Sequence, residues 1–142
     1  MRETGILLSL SSLPGGYGAG DMGAEAMAFV DFLSEAGVKV WQLLPLGPTG
    51  YGNSPYQPDS SQAGDPMYIS LAGLHAEGLL SELPPPLAAG SRVDFEAVRA
   101  FRAPWLRRAF EGFQPGGDYE AFARQSWVQD YAVFRSFKVL HN

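Results

Sequence analysis

Between Gly47 and Gln57 the sequence reads GPTGYGNSPYQ, a stretch that carries Tyr51, Asn53, Ser54, Tyr56 and Gln57 without one charged side chain. A tyrosine ring offers a flat apolar face with a hydroxyl at one edge. Ser, Asn and Gln supply neutral donors and acceptors. Flat rings stack on C–H faces, and neutral polar groups meet hydroxyls, so this set suits a carbohydrate and not a phosphate. On composition alone a glycine-rich structural turn remains the alternative.

Other candidate chemistry is weaker. Gly18-Ala-Gly20-Asp21-Met22-Gly23 matches a dinucleotide fingerprint by letter. The following apolar run ends in Leu43, Leu44 and Pro45, without the acidic residue that a ribose needs. Asp21 would also meet a pyrophosphate with its own negative charge. A tight loop that lets backbone pass close to a ligand or a neighbouring strand accounts for these glycines better. His75 and His141 have no partner at metal-ligand spacing and read as surface or packing residues. Asp21 and Glu25 suit a helix N-terminus. No residue stands out as a nucleophile, and no metal or cofactor is implied.

These residues need elements to position them. Gly5–Leu10 is a short apolar run bounded by turn formers and reads as a buried strand. Ala26, Phe29, Val30, Leu33 and Ala36 fall at helical spacing, with Asp21 as a cap and Gly37 as the stop. Val38–Leu46 is nearly continuous apolar sequence, the pattern of a strand covered on both faces. Strand, helix and strand in so short a span predict a βαβ unit with parallel strands. The tyrosine loop then lies at the C-terminal end of a parallel strand, where α/β folds place ligand sites.

Beyond Gln57, Tyr68–Ser70 reads as extended and Leu71–Leu80 as a short helix ended by Gly78. Ser81–Ser91 is a proline-rich surface connector. Helix returns at Val93 with a cap at Asp94, and Pro104 marks the first turn of another helix. Phe122, Trp127, Tyr131, Phe134 and Phe137 share one side of a long terminal helix and read as core.

The chain has 142 residues, a net charge of -5 and no cysteine. That length can bury a core, and the acidic balance argues against nucleic acid and anionic membrane as partners. Disulfides and thiolate metal sites are excluded. No apolar run reaches a membrane span or a proper signal segment, which points to a cytoplasmic protein. The terminal helix is still amphipathic where the sequence stops, and two parallel strands need neighbours. The expectation is the N-terminal part of a longer protein.

The sequence resembles the amylomaltases, the 4-α-glucanotransferases related to plant disproportionating enzymes. GILLSLSSLPGGYGAGDMG, FVDFLSEAGVKVWQLLPLGPTGYGNSPYQ and AGDPMYISL carry the resemblance, and VDFEAVRAF and WVQDYAVFRSFK extend it. It implies an α/β fold: the start of a (β/α)8 barrel over residues 1–57, then an inserted helical subdomain over 58–142. It implies transfer of α-1,4-glucan segments between maltodextrins with retention of configuration, by two carboxyl groups about 5 Å apart that lie outside this chain. This chain would hold no catalytic residue and be inactive alone. By the same resemblance Ser54 and Tyr56 line the subsites beside the scissile bond. Tyr51 matches a tyrosine of a secondary glucan groove, whose partner aromatic is expected after Val93-Asp94-Phe95, where Val98 and Arg99 stand. Ser9 replaces a common histidine, and Asp65-Pro66 stands where Asn-Pro is usual. A carbohydrate-binding fragment without catalysis and a non-catalytic interaction domain are the competing functions.

Overall fold

The computed structural model describes residues 3–87 and 90–141, so residues 88 and 89 of the proline-rich connector lie outside it. Strand β1, Gly5–Leu7, pairs in parallel with β2, Val40–Gln42, in the register Gly5↔Val40, Ile6↔Trp41 and Leu7↔Gln42. Helix α1, Ala24–Glu35, joins them, so the expected parallel βαβ unit is present. Gly37 ends α1 with φ +73°. Its N–H reaches the Ser34 carbonyl at 3.0 Å, and the Val38 N–H reaches Leu33 at 2.9 Å. This paired closure of the last turn places a residue without Cβ where the backbone turns left-handed.

Both strands are shorter than their apolar runs. Leu10–Ser12 turns into a 3-10 helix, and Leu43–Leu46 leaves the ladder as irregular chain. Neither strand is buried as expected: Leu7 is 57% exposed and Val40 46%. A two-stranded sheet has no third strand to prolong its ladder and no second layer to cover its far face. One face is packed. Trp41 donates its indole N–H to the Leu8 carbonyl at 3.0 Å and meets the Phe29 ring edge-on at 4.9 Å. Leu10, Leu13 and Ala26 form the buried centre of this cluster.

A second buried cluster joins Ala19, Met67 and Val98, and Tyr68 packs against both. Here the glycine loop finds its use. Gly18 has φ +82°, and a Cβ on it would fall 2.8 Å from Leu87 Cδ2 and Val98 Cγ2. The connector expected on the surface therefore returns to the core at Leu87, whose N–H reaches the Gly16 carbonyl at 3.0 Å.

The rest is helical: α2, Leu71–Ala76; α3, Phe95–Glu111; α4, Gly117–Ala123; and α5, Ser126–His141. Tyr68 lies in a 3-10 turn, Pro66–Tyr68, and not in extended chain. Asp94 caps α3, accepting from the Ala97 N–H at 3.0 Å. Pro104 does not start a helix. It stands inside α3, where it forgoes one N–H bond; buried Val98, Arg102 and Ala109 hold the helix on either side of it.

Asp21 is not the cap of α1; Gly23 occupies that position without a side-chain bond. Its carboxylate instead accepts from Arg102 Nη2 at 2.8 Å, with both side chains under 10% exposed. A buried guanidinium needs a carboxylate more than a helix end does. The terminal aromatic stripe is divided between α4 and α5, and Phe122, Phe134 and Phe137 are exposed. They do not form the expected core.

Candidate functional site

The Gly47–Gln57 stretch is a closed loop. An antiparallel bridge, Thr49↔Pro58, fastens its base. The Asp59 N–H reaches the Pro48 carbonyl at 2.8 Å, and the Gly50 N–H reaches Gln57 at 3.4 Å. The tip is a 3-10 turn over Tyr51–Asn53 in which Gly52 and Asn53 have φ of +73° and +55°. Glycine enters that region freely, and asparagine is among the few other residues that tolerate it.

The expected sugar contacts, Tyr51, Ser54 and Tyr56, thus lie within one short loop. Their settings differ. Tyr51 is 98% exposed and stands out from the tip, whereas Tyr56 is 71% exposed and borders a groove of about 510 Å³. Pro45, Pro55, Ser60, Gln62 and Ala63 also line that groove, and no lining side chain is charged. Among the described residues the groove combines an aromatic face, apolar surface and neutral hydrogen-bonding groups.

A charged cluster lies close by. Arg99 on α3 donates from Nη1 to Asn53 Oδ1 at 2.5 Å and from Nη2 to Thr49 Oγ1 at 2.5 Å. Nη2 also faces Asp65 Oδ2 at 3.3 Å. Asp65 is buried, and its Oδ1 accepts from the Met67 N–H at 3.0 Å. Asp59, just past the loop, accepts from Lys138 Nζ at 2.5 Å and lies 3.9 Å from Arg135 Nη1. These ion pairs bound a second cleft of about 380 Å³, which Tyr131 also lines. Burial raises the Tyr131 pKa, while Arg135 draws it back. Burial likewise raises that of Tyr68, opposed by a hydrogen bond with Ser11.

The sequence brought out the tyrosine loop but not this cluster. Asp65 and Arg99 were visible only as two separate departures from a family pattern. Nothing in their spacing says that they meet, because an acid in a loop and an arginine on a helix ordinarily face solvent.

A parallel βαβ unit ending in a charge-free aromatic loop defines a protein of the α/β class with a ligand-sized groove beyond a strand's C-terminal end. The family model described as 4-alpha-glucanotransferase matches residues 8–142, and the chain belongs to that family. The 4-alpha-glucanotransferase of Thermus thermophilus is 45% identical over 99% of this chain and 29% of its own length. That of Synechocystis sp. is 42% identical over 99% of this chain and 30% of its own. An amylomaltase from Streptococcus agalactiae, solved in complex with acarbose, superposes with a TM-score of 0.86 at 36% identity, over 97% of this chain and 30% of that one. The chain thus spans about 30% of the length of these relatives. No described helix is long and apolar enough to cross a membrane.

Proposed function

We propose that this chain is the N-terminal part of a cytoplasmic 4-α-glucanotransferase, and that the loop Gly47–Gln57 forms one wall of its α-1,4-glucan site. Residues 1–57 supply the first two strands and first helix of a (β/α)8 barrel, and residues 58–142 a helical subdomain inserted in it. The observation that carries the reading is the exposed Tyr56 ring beside a groove without a charged lining residue. Acarbose in the related amylomaltase supports an oligosaccharide as the ligand.

Transfer with retention needs a carboxylate nucleophile and a carboxylic acid on opposite sides of the scissile bond. In this reading both come from elsewhere in the enzyme. The loop's work is orientation. Tyr56 lies against the sugar at the reacting bond, Ser54 meets a ring hydroxyl, and Tyr51 touches more distant glucose units. An interaction that strengthens in the transition state acts on kcat, whereas one that only holds substrate acts on KM.

The test compares Tyr56→Ala with Tyr51→Ala in the complete enzyme, by steady-state kinetics on maltotriose beside a melting curve for each. Stacking and one hydrogen bond together contribute about 2–3 kcal/mol, so Tyr56→Ala loses roughly a hundredfold in kcat. Tyr51→Ala keeps kcat on maltotriose and weakens the use of long glucans. Wild-type kcat in Tyr56→Ala, or a loss that follows unfolding alone, would make this loop merely a structural turn.

A further inference from the structure

We propose that Arg99 is the positioning residue of the sugar loop: acting through Thr49 and Asn53, it fixes the course of the chain that presents Ser54 and Tyr56. The proposal rests on the reading of that loop as a glucan wall.

The Tyr56 ring is 71% exposed, so packing among the described residues does not hold it. Its position therefore depends on the backbone that leads into it. That backbone leaves Asn53 in a left-handed conformation, φ +55°, which asparagine tolerates without requiring. The tip has two weak internal bonds, Asn53 N–H to Gly50 at 3.3 Å and Gln57 N–H to Ser54 at 3.2 Å. Tyr51 points into solvent and anchors nothing.

Arg99 supplies the missing tether. One guanidinium spans the turn, taking Thr49 at its entry and Asn53 at its exit, each at 2.5 Å. The guanidinium is itself held. Its Nη2 meets Asp65, whose other oxygen is engaged by the Met67 N–H. The base of the side chain rises from a helix seated by Val98, which is 1% exposed. The chain of contacts runs from the buried core through Asp65 and Arg99 to Asn53, and ends one residue before Ser54. A planar fork reaches two acceptors at once, whereas a lysine ammonium on a flexible stem is a point charge.

The experiment measures kcat/KM on maltotriose in the complete enzyme for Arg99→Met, Arg99→Lys, Tyr56→Ala, and Tyr56→Ala combined with Arg99→Met. An Asp65→Asn/Arg99→Met variant keeps the cap on Met67 without stranding a buried carboxylate. Loss of orientation lowers kcat/KM about tenfold to a hundredfold in Arg99→Met, Arg99→Lys and Asp65→Asn/Arg99→Met, with the melting temperature of the last within a few degrees of wild type. Adding Arg99→Met to Tyr56→Ala costs less than about threefold more, since coupled residues do not act independently. Wild-type kcat/KM in Arg99→Met overturns the proposal. So does rescue by lysine, a full multiplication of the two losses, or activity that falls only with the melting temperature. An impaired Tyr56→Ala beside an unimpaired Arg99→Met refutes the role of Arg99 alone. A fully active Tyr56→Ala refutes the glucan wall, and with it the role assigned to Arg99.

Discussion

Removing the Asp21 carboxylate, as in Asp21→Ala, strands a guanidinium in the interior. Arg102 is 1% exposed, and its contacts are Asp21 Oδ2 at 2.8 Å and the Ile69 carbonyl at 2.5 Å, both to Nη2. Its Nε and Nη1 are buried without a partner among the described residues. Losing one member of such a pair costs about 3–5 kcal/mol, because the other charge stays desolvated. Replacing both by apolar groups of similar volume costs much less, or nothing. Asp21→Ala/Arg102→Met is therefore more stable than Asp21→Ala by at least about 2 kcal/mol. The pair Arg124–Glu120, at 80% and 62% side-chain exposure, serves as a control; Glu120→Ala costs under about 0.5 kcal/mol once solvent screening is counted. Urea unfolding followed by far-UV and near-UV signals gives the stability of the wild type and of the three variants. Against a typical domain stability of about 5–15 kcal/mol, the single variant is a large perturbation. A cost below about 1 kcal/mol, or a double variant no more stable than the single, would show that Arg102 hydrates readily and that the pair does not organise the core.

Other outcomes follow from single features. Pro104→Ala restores an N–H to the interior of α3 and stabilises it by about 1–3 kcal/mol, read as a rise in melting temperature; no change would mean that the restored N–H gains no helical hydrogen bond. Asp94→Ala removes the cap on Ala97 and costs about 1 kcal/mol in urea unfolding. Tyr68 has its folded-state pKa raised, chiefly by burial. Its contribution is fully present below the unfolded value of about 10 and is lost as pH rises through the folded value. Tyr68→Phe flattens that alkaline loss in melting temperature, but only in part, because Tyr131 titrates in the same direction.

The βαβ unit was legible because α1 carries a clear apolar stripe and ends at a glycine. Its strands were overestimated because continuous apolar sequence records what a segment buries, while ladder length depends on neighbouring strands. The aromatic loop was legible by composition. The Arg99 tether was not, since it depends on how α3 lies across the loop, and no local pattern encodes that placement. The same limit explains Asp21: beside a helix start it looked like a cap, yet its partner is 81 residues away. Helical spacing picked out the aromatic residues of the terminal stripe but not the break between α4 and α5, nor what covers them.

The long reach of these tethers has a consequence for synthesis on the ribosome. Arg102 pairs with a residue 81 positions earlier, Lys138 with one 79 earlier, and Arg99 with residues 46 and 50 earlier. Strands β1 and β2 and helix α1 emerge well before any of these partners. Closing such large chain loops costs entropy before contacts return it, so the nascent chain holds the tyrosine loop with its sequence complete and its tip untethered. The base of the loop can close once Asp59 has emerged, but the tip gains its Arg99 contacts only when α3 leaves the exit tunnel, at roughly 5–20 residues per second. Nascent chains stalled before and after Arg99 would differ in protease sensitivity at Tyr51–Asn53, although both already contain every residue of the loop.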